Sequence, residues 1–264
     1  MEESIPISTQ LSSLATNTPG KNAIKSVYMI VNKTSGSKGS GFLLQNGFII
    51  TNKHVIGSNL NDDIIAISSN GHQYTISKKI IDADRDLAAI KTDIPISGGL
   101  LIDPVDNIEL GTTVSTWGYP LYWNGPNPLL SVGYIAGYKL APRINNGKNV
   151  KAFVINGALN NGNSGGPLIR FNDDKIIGVV VSKALPIISP FAKQAIDCFS
   201  TNKSGVVFNA TDEKGKVTPL VESQVVSIIL KEFHEMHQVM IGDAISSEEL
   251  IAFLKQNSIE LPVI

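Results

Sequence analysis

The sequence predicts an all-β architecture of two antiparallel barrels followed by a helical segment, and three features predict it. From Ile24 to about Ala210 the chain is a succession of short apolar or alternating runs cut by Gly, Asn, Asp and Pro. β-Branched residues dominate these runs, and such side chains pack well on a pleated sheet but crowd the turns of a helix. About a dozen runs of this kind are too many for one small sandwich and suit two barrels.

The elements follow in order. The lead-in, residues 1–23, is polar; it carries acids where a secretory signal carries basic residues, and it has no apolar run of signal length. The first set of strands is IKSVYMIVN, GFLLQ, FIITN, IIAIS, QYTISKKII and LAAIK; the second is TTVSTWGY, LLSVGYIAGY, KAFVINGA, GPLIRF, KIIGVVVS and SGVVFNA. LLQNGFII reads as a hairpin, with Asn46 and Gly47 both at positive φ in a two-residue type I′ turn. Beyond Thr211 the period changes. Val221, Val225, Ile228, Ile229, Phe233, Met236 and Met240 fall at helical spacing. Ser246-Ser-Glu-Glu249 then reads as a capping box for a second helix carrying Leu250, Phe253 and Leu254. The expected organisation is therefore a β domain over 24–210 and a helical tail over 211–264.

Composition narrows the function. The 22 basic and 23 acidic residues leave a formal charge of -1, with no excess of cations for a phosphate backbone or an anionic membrane surface. Nucleic acid and membrane are thus not expected as partners. No run approaches the roughly 20 apolar residues that span a bilayer. One cysteine cannot form an internal disulfide, so packing must hold the fold, and a cytoplasmic location is the expectation. Cys198 itself reads as a small buried apolar residue.

Chemistry enters where three distant stretches are taken together. His54 follows the strand FIITN, Asp86 stands just before Leu87–Ile90, and Ser164 lies in GALNNGNSGGPLI among glycines that suit neither a helix nor the middle of a strand. A serine hydroxyl is a poor nucleophile until a neutral imidazole takes its proton. That imidazole in turn needs a carboxylate on its other nitrogen to fix the tautomer. Acyl transfer also develops a negative oxygen, which backbone N–H groups must meet in a preset geometry. Gly162 and Ser164 are the natural amide donors, with Asn163 assisting, and the glycines are expected to let bare backbone approach a substrate carbonyl.

The stretches GSGF…IITNKHV, D…DLAAIK and NNGNSGGPL resemble the trypsin-like serine peptidases, in particular the HtrA/Deg branch. Gly111 to Gly133 is similar to that branch's G-x-x-V-x-x-x-G-x-P stretch. The resemblance spans about Ile24 to Ala210. It implies two six-stranded barrels of the chymotrypsin type, with His54 as base, Asp86 as its orienting acid and Ser164 as nucleophile. It further implies a first subsite floored by Ala158 and walled by Val180, Val181, Ser182 and Lys183, hence cleavage after small or medium apolar residues. Asn161 stands where the family usually has proline, and Lys53 brings a charge, read as solvated, next to the histidine. The segment after Ala210 does not resemble a PDZ domain, so regulation of that kind is not carried over.

Other readings fit less well. Asp82, Asp84 and Asp93 compete with Asp86, but the family motif puts the acid immediately before the Leu-Ala pair. Gly162–Gly166 also matches the G-x-S-x-G elbow of α/β-hydrolases; that elbow runs into a helix, whereas Gly165, Gly166 and Pro167 start helices poorly and LIRF is strand-like. Glu232, His234 and His237 read as a solvated helix face rather than a metal patch. The expectation is a serine endopeptidase that needs no metal or cofactor and acts on protein or peptide substrates. Its alternative is a latent peptidase-fold module switched by a protein partner through the helical tail.

Overall fold

The structure, a computed structural model, describes residues 21–59, 61–93, 98–104, 108–121, 123, 125–141, 149–171, 175–183, 189–211, 215–236 and 240–262. The chain divides into two compact units, one of Met1–Lys183 with Met240–Ile264, the other of Ala184–Val239.

The first unit opens with a short helix α1 (Lys21–Ser26), followed by β1 (Val27–Asn32), β2 (Lys38–Leu43), β3 (Ile49–Asn52), a one-turn helix α2 (Lys53–Ile56), β4 (Ile64–Ile67), β5 (Gln73–Asp82) and β6 (Leu87–Thr92). These six strands close a barrel in the order β1-β2-β3-β6-β5-β4. Next come β7 (Thr113–Gly118), β8 (Leu129–Ala141), β9 (Val150–Gly157), β10 (Pro167–Arg170) and β11 (Ile176–Lys183). The second unit contributes α3 (Pro190–Thr201), β12 (Val207–Thr211), β13 (Val217–Val221) and α4 (Glu222–Met236). The chain then returns to the first unit as β14 (Ile241–Ser246) and α5 (Ser247–Gln256). The second barrel closes as β10-β11-β14-β9-β8-β7.

Three apolar clusters explain the strand patterns. One fills the first barrel (Ile30, Ile49, Ala88, Ile90) and one the second (Val114, Phe153, Leu168, Val180). The third lies between them and takes the opposite faces of the same strands: Ile50, Leu87, Ala89, Ile176 and Val179, with Leu250, Phe253 and Leu254 of α5. A strand buried on both sides reads as a continuous apolar run, which is why Leu87–Ile90 does not alternate. Each fully buried Leu or Phe contributes about 1.5–3 kcal/mol relative to exposure; the three from α5 are 0% exposed.

Four expectations need correction. The break at Thr211 is not where the barrel domain ends: β14 supplies its sixth strand, pairing with β9 and β11, and α5 seals the core. The helical tail is therefore two things, one helix in each unit. SGVVFNA does not join the barrel, because its strand β12 pairs only with β13. The β2–β3 connection is not a two-residue turn but runs over residues 44–48, with the Leu44 N–H donating to Phe48 O: Gly47 takes φ 79°, Asn46 is not at positive φ, and the Asn46 amide oxygen accepts the Phe48 N–H instead. Cys198 is exposed, since α3 buries only Ile196.

The start of α5 shows one half of the expected capping box, the Ser246 hydroxyl accepting the Glu249 N–H, while the Glu249 carboxylate accepts from Arg85 and from the Lys151 N–H. Ser246→Ala should cost about 1 kcal/mol, read as a lowered denaturant midpoint with an unchanged slope.

Candidate active site

His54 sits on α2, a single turn whose Val55 and Ile56 are buried in the first barrel. That anchoring turns the imidazole outward, with the side chain 46% exposed. Asp86 approaches from the other side of the β3–β6 pair, at the entry to β6. Its φ is 55°, in the left-handed region that a side chain adopts only under constraint. The constraint is visible. The Asp86 carbonyl accepts N–H groups from Lys53 (3.1 Å) and from the Asn52 side chain (3.0 Å).

The Asp86 carboxylate then grips His54 twice. Oδ1 accepts the His54 backbone N–H at 2.9 Å, and Oδ2 meets ring Nδ1 at 2.6 Å. A carboxylate only accepts, so Nδ1 carries a proton, and in the neutral ring it is Nε2 that holds the lone pair. Of the competing acids, Asp82 is taken by Arg85, and Asp84 Oδ1 is buried without a partner among the described residues.

Arg85, which the sequence analysis passed over, holds this corner in place. It is 6% exposed; Nε donates to Glu249 Oε2 at 2.8 Å and Nη1 donates to Asp82 and to Gln256. Burial pulls the guanidinium pKa down, but its bonds to Glu249 and Asp82 more than restore it, and the net shift is upward. The residue before Asp86 is thus tied to α5. The only signal in the sequence is one arginine lodged between two aspartates.

Ser164 is 7% exposed in the loop between β9 and β10. Its hydroxyl donates to the Val181 carbonyl, and no hydrogen bond joins it to His54 among the described residues. Val181 can offer that carbonyl because β11 bulges there: Val180 pairs with Ala244 and Ser182 with Asp243, leaving Val181 outside the β14 register.

Around the serine the loop carbonyls are tied down. Asn161 O accepts from Leu121 N (2.8 Å), Gly162 O from the Ser40 hydroxyl (2.6 Å), Asn163 O from Gly166 N (2.9 Å) and Ser164 O from Ser40 N (2.8 Å). The N–H groups of Gly162 and Ser164 donate to no partner among the described residues. Asn163 differs from expectation: its N–H is spent on Asn160 O (3.0 Å), and its side chain, in a residue 1% exposed, is buried beside Gly118. Its side-chain NH₂ donates to nothing among the described residues, but it is buried and does not face solvent. The glycines also have a packing role that the sequence did not suggest. A Cβ on Gly162 (φ 95°) would lie 2.3 Å from Tyr119 O, and one on Gly165 (φ 85°) 2.2 Å from Ser40 O, so bare backbone lets the loop pack on the protein's own strands.

Of the expected subsite residues, Ala158 is half-buried just past β9. Val180 is not a wall: its side chain is 0% exposed inside the second barrel, and its backbone bonds Gly165 and Gly166. Val181 turns its partly buried side chain to the inter-barrel core. Ser182 and Lys183 continue β11, but their side chains, like residue His237, lie outside the described residues.

Residues 39–179 match the trypsin-like peptidase domain model, over half of the chain. Serine protease HTR4 of Rattus norvegicus is 32% identical over 161 residues, 58% of this chain and 31% of that protein. Serine protease HtrA-like of Staphylococcus aureus (strain MRSA252) is 28% identical over 222 residues, 74% of this chain and 28% of that protein. The chain thus spans under a third of the length of these relatives. Among solved structures, the active form of the Rv3671c protease from M. tuberculosis aligns with TM-score 0.60 at 17% identity, covering 100% of this chain and 91% of that one. HtrA-type protease AlgW with tripeptide aligns with TM-score 0.58 at 19% identity, covering 92% and 62%. With its two closed barrels and its match through the stretches that hold His54, Asp86 and Ser164, the chain belongs to the trypsin-like peptidase family, alongside HtrA-like members.

Proposed function

We propose that this chain is a serine endopeptidase that cleaves protein or peptide substrates through an acyl-enzyme. The observation that carries the reading is the Asp86–His54 pair, whose bond at Nδ1 leaves Nε2 of the neutral ring as the proton acceptor, in a chain whose Ser164 loop keeps the Gly162 and Ser164 amides unengaged among the described residues. In the first step the Ser164 hydroxyl gives its proton to His54 Nε2 as its oxygen attacks the scissile carbonyl carbon. The carbonyl oxygen, now negative, accepts from the Gly162 and Ser164 N–H groups. His54 then returns the proton to the departing amine, leaving an ester on Ser164, and water repeats the sequence to release the acid. The Ala158 methyl, with no charge of its own, supports a preference for small or medium apolar residues before the cut.

The hydroxyl must first leave the Val181 carbonyl. One neutral hydrogen bond is worth about 1 kcal/mol net, a small fraction of the barrier to an acyl-transfer step, so this rotation does not hold up catalysis. That magnitude favours a site competent without a partner over a latent module. The test is a fluorophosphonate probe on the isolated protein. Labelling should fall on Ser164 and disappear in Ser164→Ala, with kcat for peptide hydrolysis falling at least about 10⁴-fold. A folded wild-type protein that neither labels nor hydrolyses peptides overturns the proposal.

A further inference from the structure

We propose that Ser40 is a positioning residue for the oxyanion site, its hydroxyl fixing the direction of the loop amides; this rests on the peptidase reading above. Ser40 belongs to the G-S-G-F stretch of β2, is 0% exposed, and lies 122 residues from the loop it holds. Each of its polar groups is committed. The hydroxyl donates to Gly162 O at 2.6 Å and accepts Tyr119 N–H at 2.9 Å; the backbone N–H donates to Ser164 O at 2.8 Å; the backbone carbonyl accepts the Thr51 hydroxyl at 2.7 Å.

A peptide unit is planar and rigid, so fixing its oxygen fixes its N–H. The Gly162–Asn163 unit is held at its oxygen by Ser40 Oγ and at its nitrogen by Asn160 O. The carbonyl of Ser164 is held by Ser40 N. The amide of Ser164 lies between these two anchored units and that of Gly162 directly precedes the first, so one residue on β2 braces the loop on both sides of the two unengaged donors. The brace is needed because Gly162, at φ 95°, sits where a glycine changes basin at little cost. A flipped Gly162–Asn163 unit would set the Gly162 carbonyl against the Asn160 carbonyl that now accepts the Asn163 N–H, and would swing the Gly162 and Ser164 amides on either side of it. It would also strand the Ser40 O–H in the interior without a partner. Serine suits this position because one small group must donate and accept at once in a space where a Cβ on Gly118 would come within 3.0 Å of Ser40 Oγ.

The test uses the full chain and four variants: Ser40→Ala, Ser164→Ala, the two combined, and Ser40→Cys. Ser40→Ala should lower kcat about 10–100-fold, a share of what deleting one oxyanion donor costs, with KM within about twofold. A peptide boronate, whose adduct on Ser164 is tetrahedral, should lose affinity by the same factor as kcat. Binding of the uncleaved peptide to Ser164→Ala should be the same with or without Ser40→Ala. If Ser40→Ala melts below the assay temperature, Ser40→Cys, which keeps the shape and donates only weakly, is measured with the same expectation. Kcat and boronate affinity within twofold of wild type overturn the Ser40 assignment, as does equal loss of uncleaved-peptide binding, which indicates general damage. A wild-type protein lacking Ser164-dependent turnover is the distinct result that overturns the peptidase reading, and the Ser40 assignment with it.

Discussion

Replacing Asp86 by Asn should lower kcat for peptide hydrolysis by about 10⁴-fold while the protein stays folded. The expectation follows from the two bonds to His54. The carboxylate accepts from the backbone N–H through one oxygen and from Nδ1–H through the other. An amide offers one oxygen and one NH₂. If the oxygen keeps the backbone N–H, the NH₂ faces Nδ1, which must give up its proton and accept; the ring proton moves to Nε2, where His54 can no longer take one from Ser164. If the oxygen faces Nδ1, two donors meet at the His54 backbone. The network therefore selects the unproductive tautomer. Steady-state kinetics beside a thermal melt checks this, and activity within tenfold of wild type would remove Asp86 from the role proposed for it.

The second large effect is on stability. Arg85→Met should destabilise the protein by about 3–5 kcal/mol, because it leaves Glu249 and Asp82 without the cation they enclose. For a domain of this size that corresponds to a fall in Tm of roughly 6–20 °C. Adding Glu249→Leu should return part of the loss, since removing both members of a buried pair avoids the stranded charge. A melt of the single variant within 2 °C of wild type, against the roughly 6 °C minimum, would show that the cluster does not hold the Asp86 corner.

The barrels were legible for a physical reason. Strands such as Leu87–Ile90 are buried on both faces and announce themselves as unbroken apolar runs. β14 was hidden because Ile241–Ser246 carries Gly242 and Asp243, and because it follows a helix whose periodicity runs into Met240. The type I′ reading of Asn46-Gly47 missed that the Asn46 side chain bonds the Phe48 N–H.

At the site, residue types and the family resemblance named His54 and Asp86 as a pair, and the structure joins them. What spacing could not reveal is every contact in which a side chain meets distant backbone or a distant charge. Ser164 rests on the carbonyl of Val181, Ser40 reaches across 122 residues, and Arg85 meets Glu249 across 164. None of these partners is marked by a local pattern, and the Asp-Arg-Asp run at Arg85 does not name Glu249. Nor could spacing show that the Asn163 N–H is spent on Asn160 and that its side-chain amide is buried.

The place of β14 between β9 and β11 has a consequence for assembly. Strands of the first barrel all lie within Val27–Thr92, so that half can form while later segments are still being synthesised. The second half stays an open sheet until Ile241–Ser246 emerges, and until then it shows two unpaired rims, one on each neighbour of the missing strand. A chain stopped before Ile241 would keep both rims as templates for pairing with other molecules, and such fragments should collect as aggregates rather than as a smaller enzyme.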